Sequence, residues 1–98
     1  MRIIVVEPEG DRRRLLVDGA RALPGIVVIA AVPGYVEAVA LVAKTKPDVI
    51  VLGEVPVGDL TALARLAQRY DTALVDATVL AGRGSSSSAL RERLPAFA

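Results

Sequence analysis

The chain alternates short apolar runs with longer segments whose apolar positions recur at helical spacing. RIIVVE (2–7) is a four-residue apolar run bounded by charge, and PEGD (8–11) breaks it. Asp11 is placed to cap a helix over 12–22, with Leu15, Leu16, Gly19 and Leu23 on one side. Leu23-Pro24-Gly25 ends that helix, and IVVIAAV (26–32) forms a second continuous run closed by Pro33-Gly34. Val36, Val39, Ala40 and Ala43 then repeat at i, i+3, i+4 and i+7, and Lys44 and Lys46 suit the dipole at that helix's end. DVIVL is the third strand, and Asp59 after it is placed to cap a helix carrying Leu60, Leu63, Ala64 and Ala67. TALVDAT (72–78) is a fourth strand candidate interrupted by Asp76. Beyond it, 79–88 reads as a flexible loop and 89–98 as a short helix and tail. Strands that are apolar throughout are covered on both faces, and helices between them make the sheet parallel. The expectation is a single three-layer α/β domain over 1–98, in the order β-α-β-α-β-α-β-α.

Composition narrows the chemistry. Ninety-eight residues support one domain, and 53% of them are hydrophobic while only 3% are aromatic. The core must therefore be built from Val, Leu, Ile and Ala. The start of the chain is too short in apolar residues for a signal peptide, and no run approaches a membrane span, so a cytoplasmic location is expected. With no cysteine and no histidine, disulfides, thiolate chemistry, imidazole bases and the ordinary soft metal sites are all excluded. The formal charge of +1 gives no global pull toward nucleic acid or anionic membrane. Neither enzymatic chemistry nor a bound cofactor is expected.

The residues also carry a resemblance. MRIIVVEPEGD, IVVIAAVPGYVEAVALV and TKPDVIVL together resemble the receiver domain of two-component response regulators, closely over 1–70 and loosely over 71–78. The resemblance implies a flavodoxin-like open sheet. It also implies a Mg²⁺ site on an acidic pair after the first strand and an aspartate phosphorylated after the third, where hard oxygen ligands neutralise the transferred phosphoryl group. On this chain the pair falls on Glu7 and Pro8, and the acceptor on Gly53. Glu54 is adjacent, and a register slip would carry it into the pocket. The hydroxyl switch falls near Ala77 or Thr78, and the lysine after a fifth strand has no counterpart. What the resemblance implies is a degenerate receiver whose vestigial pocket is Glu7, Pro8, Gly53, Glu54, Ala77 and Thr78.

Other candidates stand beside that pocket. Glu7, Glu54 and Asp76 all sit at C-terminal strand ends, where open α/β sheets bind ligands, and are candidates for a divalent-cation cup. Without a second acid beside Glu7, they read instead as solvated or cap-bonded carboxylates, with no metal. Asp76 requires a partner, for which Arg83 and Lys46 are candidates. Gly82, Arg83, Gly84, Ser85 and Ser86, with Ser87 and Ser88 after them, precede a helix N-terminus, an arrangement able to hold an anion. That loop resembles the phosphate loop of universal stress proteins, which implies an alternative function in nucleotide or phosphate binding. In that family, however, the glycines follow their strand closely, whereas here a helix and a strand intervene. Arg12, Arg13 and Arg14 open the first helix against its dipole and read as a solvated turn or a partner contact. Tyr35 reads as a partly buried anchor.

A receiver continues with a fifth strand and helix that this sequence does not supply. The fourth strand then becomes a sheet edge with unpaired backbone groups, and edges and uncovered apolar faces attract partners. The expected partner is a second copy or another protein, through the fourth strand and 79–98. Membrane insertion and direct nucleic-acid binding are not expected. The function expected overall is a phosphorylation-independent protein–protein interaction module in signalling or transcriptional regulation.

Overall fold

The computed structural model describes residues 1–77. Four strands, β1 (Arg2–Val6), β2 (Val27–Val32), β3 (Val49–Leu52) and β4 (Ala73–Asp76), alternate with three helices. These are α1 (Gly10–Arg21), α2 (Tyr35–Thr45) and α3 (Val57–Arg69). All strand pairs are parallel, and the sheet order is β2-β1-β3-β4. The three-layer α/β expectation holds, in a flavodoxin-like arrangement. The expected loop over 79–88 and the helix and tail over 89–98 lie outside the described residues.

The two central strands explain the layering. Every residue of Ile3–Val6 and Val49–Leu52 is buried, and successive side chains leave the sheet on opposite faces. Ile3, Val5, Val49 and Val51 meet Ala20 and Leu23 at the end of α1. Ile4, Val6, Ile50 and Leu52 meet Ala38 and Val42 of α2 and Leu63, Leu66 and Ala67 of α3. One helix therefore covers one face and two cover the other.

β2 departs from expectation. Its run is as continuously apolar as that of β1, yet it is an edge strand with only Val32 buried, and Val27 is 57% exposed. Its register shifts between Ile3 and Ile4, where Val28 and Ala30 are the successive partners and Ile29 is the extra residue. β4 is the opposite edge among the described residues, as expected.

Two helix starts also differ. α1 is capped by Glu9, whose carboxylate accepts from the Asp11 and Arg12 amides, so Asp11 falls inside the first turn. α3 starts directly after Pro56, and Asp59 sits in its first turn, where its charge suits the dipole. At the other end of the sheet, the Arg2 amide donates to Asp48 Oδ2 at 2.8 Å, and its guanidinium donates to the Thr45 carbonyl at 2.7 Å. Buried Thr72 donates through Oγ1 to the Pro47 carbonyl at 3.1 Å. Thr72→Val removes that donor at nearly constant volume and is expected to cost about 1 kcal/mol in chemical denaturation. No described helix is long and apolar enough to cross a membrane.

Candidate functional site

In this sheet the strand order reverses between β1 and β3, so the crevice for a ligand lies beyond the carboxyl ends of those two strands. Val6 pairs with Leu52, which brings Glu7 and Gly53 side by side. Backbone bonds fix both: Glu7 N–H donates to the Val32 carbonyl at 3.0 Å, and Gly53 N–H to the Val6 carbonyl at 2.8 Å. The candidate pocket is therefore in place, and its content is Glu7.

The Glu7 side chain is 1% exposed and turns into the crevice. Its Oε1 accepts from the Glu54 amide at 2.8 Å and from Arg12 Nε at 3.3 Å. Its Oε2 accepts from the Glu9 amide at 2.6 Å. Burial alone would push this carboxyl up. The Glu9 and Glu54 amides and the Arg12 guanidinium outweigh it, and the carboxyl is held below its ordinary value. Glu7 is thus a buried carboxylate, ionised at neutral pH, with both oxygens engaged.

Gly53 is what makes room for it. A Cβ on Gly53 would overlap Glu7 Oε1 and stand 2.9 Å from Glu7 Cβ and Cδ. Sequence reasoning treated Gly53 and Glu7 as separate remnants of one pocket. The structure makes them a single unit, in which the carboxylate of β1 occupies the space a side chain at 53 would need. The sequence signal for this was the glycine itself, since a glycine at a strand end often marks the close approach of another group.

Arg12 bridges the site, with its Nη2 3.5 Å from Glu54 Oε2. Glu54 points outward, with its side chain 62% exposed, and reaches the pocket only through its backbone amide. A slip of Glu54 into the acceptor position is therefore not what this structure contains. Arg13 donates to the Glu7 carbonyl at 2.9 Å and to the Pro8 carbonyl at 3.4 Å. Two of the three arginines that oppose the α1 dipole thus hold the turn that follows β1, rather than standing as a purely solvated row. Pro8, exposed and without an N–H, contributes no ligand atom from its side chain.

Between Glu7, Arg12, Gly53, Glu54, Ala77 and the α1 pair Leu15 and Leu16 lies a cavity of about 110 Å³. Its walls are mostly apolar, and Leu15 at its mouth is 70% exposed. Ala77 is fully buried and its N–H donates to the Leu52 carbonyl at 2.6 Å. Thr78, the other candidate for the hydroxyl switch, lies outside the described residues. So does the whole of the expected anion loop: Gly82, Arg83, Gly84, Ser85, Ser86, Ser87 and Ser88.

Asp76 ends β4, paired in register with Leu52, and is exposed. Lys46 closes α2 at the opposite end of the parallel strands, so it is not the partner of Asp76. Among the described residues, no group of three acids forms a metal site, and the cup of Glu7, Glu54 and Asp76 is not assembled. Tyr35 opens α2 half-buried and packs against the core on that face, as expected.

No family model, curated protein or solved structure matches the chain. Fold and site define its class: an α/β domain of flavodoxin-like arrangement whose switch-point crevice is filled by its own glutamate.

Proposed function

We propose that this domain is a receiver-like protein-interaction module that operates without phosphorylation, in signalling or transcriptional regulation. One observation carries the reading: the Glu7 carboxylate stands where an acceptor side chain at position 53 would stand, and three protein donors hold it there. A charged group buried in this way fixes the crevice in one arrangement, which suits a constant recognition surface better than a switch. That surface is formed by exposed Pro8, Glu54 and Pro56 with half-buried Val55, together with the β4 edge, and its occupant is a partner protein.

The test is incubation with a small acyl-phosphate donor and Mg²⁺, followed by intact mass measurement, with a parallel ATP titration read by thermal shift. The expected outcome is an unchanged mass and an unchanged melting temperature. A gain of one phosphoryl mass overturns the reading. An ATP-dependent rise in melting temperature replaces it with nucleotide or phosphate binding.

A further inference from the structure

The outer surface of α2 is unusual for an exposed helix. Its sequence, YVEAVALVAKT, carries only two charged residues, and helices apolar on every side are normally buried. Ala38 and Val42 face the sheet and are fully buried. On the opposite side Val36, Ala40 and Ala43 repeat at i, i+4 and i+7, all exposed, with Val36 at 77%. Gly34, just before α2, lies near Asp59 in the first turn of α3, so both helices begin at the same end of the sheet. At that end α3 carries two exposed apolar residues of its own, Val57 at 79% and Leu60 at 42%.

The two charges of α2 indicate what covers this stripe. Glu37 lies in its first turn and Lys44 in its last, and seven residues is close to two helical turns, so both project on the same flank of the stripe. A two-fold axis that sets α2 antiparallel against its own copy keeps like flanks together and exchanges the ends. Glu37 of one copy then meets Lys44 of the other, twice per pair, while Ala40 crosses near Ala40 of the second copy at the centre. A small residue at the crossing permits close approach of the helices. The helix dipole accounts for the sign of each charge in the isolated chain, but not for the exposed apolar stripe between them.

We infer that the α2 outer face is a self-association surface whose occupant is a second copy of this chain, packed antiparallel through Val36, Ala40 and Ala43 and registered by Glu37–Lys44 pairs. The contact is isologous and closes at two copies. It is formed by a different element from β4, and it stands whether or not the phosphorylation-independent reading holds.

The test is sedimentation equilibrium of the full chain and four variants, each checked by circular dichroism. The native chain is expected to form a reversible dimer at micromolar concentration. Ala40→Glu places a charge at the crossing and is expected to give a monomer with unchanged helix content. Glu37→Lys and Lys44→Glu each set like charges against each other and are expected to weaken dimerisation by about tenfold. The double variant E37K/K44E restores opposite pairs and is expected to recover native association. A native chain that stays monomeric, a dimer indifferent to Ala40→Glu, or a double variant that fails to recover each overturns the inference. The mass and ATP measurements above do not bear on these outcomes, so the two readings fail separately.

Discussion

Gly53→Ala is expected to lower the unfolding free energy by about 1–3 kcal/mol, the usual cost of forcing an extra methyl into a packed site. The added carbon would overlap a carboxylate that cannot move aside without leaving the Glu54 amide, the Glu9 amide and Arg12. A domain of this size has about 5–15 kcal/mol in total, so the loss is a sizeable fraction of its stability. The diagnostic measurement is a double-mutant cycle in urea. In a Glu7→Ala background Oε1 and Cδ are gone but the Cβ of residue 7 remains 2.9 Å from the added carbon, so Gly53→Ala is expected to cost about 1 kcal/mol less than in the native chain. The cost of the same substitution thus depends on the residue at position 7. If its cost is equal in both backgrounds, the close approach of Glu7 to residue 53 is not what constrains the site.

Glu7→Gln tests the charge rather than the space. Glutamine keeps the shape but offers one oxygen where two are used, and turns its amide hydrogens toward a group that already donates. The expected loss is about 2–4 kcal/mol at neutral pH, in the range for removing one partner from a buried charged network. The pH dependence gives the sign. The folded-state pKa of Glu7 lies below its ordinary 4.5, so its ionised form contributes fully above that value. The contribution fades as pH falls through the folded value. Native protein and variant are therefore expected to converge in stability below about pH 4.5, and to remain apart and parallel above it. A constant difference through the acid range would show that the glutamine variant loses packing and not charge. Glu9, also held below its ordinary value by the Arg12 and Asp11 amides, titrates in both proteins and does not generate the difference.

Much of the fold was legible from sequence because the strands of this domain are apolar without interruption and the helices keep a clear three-to-four spacing. The third strand, read as DVIVL, was placed to within one residue of Val49–Leu52, since charge lies at its start and glycine follows. Position within the sheet was not legible. Val27–Val32 reads like a central strand and is an edge, because hydrophobicity reports the capacity to be buried and not the number of neighbours. Helix starts were misplaced for a local reason: Asp11 and Asp59 are good caps by composition, yet Glu9 reaches the α1 amides first and Pro56 already has the backbone angle that leads into α3. At the site, the residues were found but their relation was not. Glu7 and Gly53 are 46 positions apart, and only the parallel register of β1 with β3 brings them into one volume.

That shared volume also orders the chain's possible histories. While glutamate stands at position 7, every residue other than glycine at 53 collides with it. Acquiring a side chain at 53 therefore requires a prior change at 7, and that change passes through a destabilised intermediate with unanswered donors at Glu54 and Glu9. The reverse order passes through a steric clash. Both single steps are uphill, so the pair behaves as a ratchet that confines mutational drift to variants in which the carboxylate at position 7 keeps its place against Gly53.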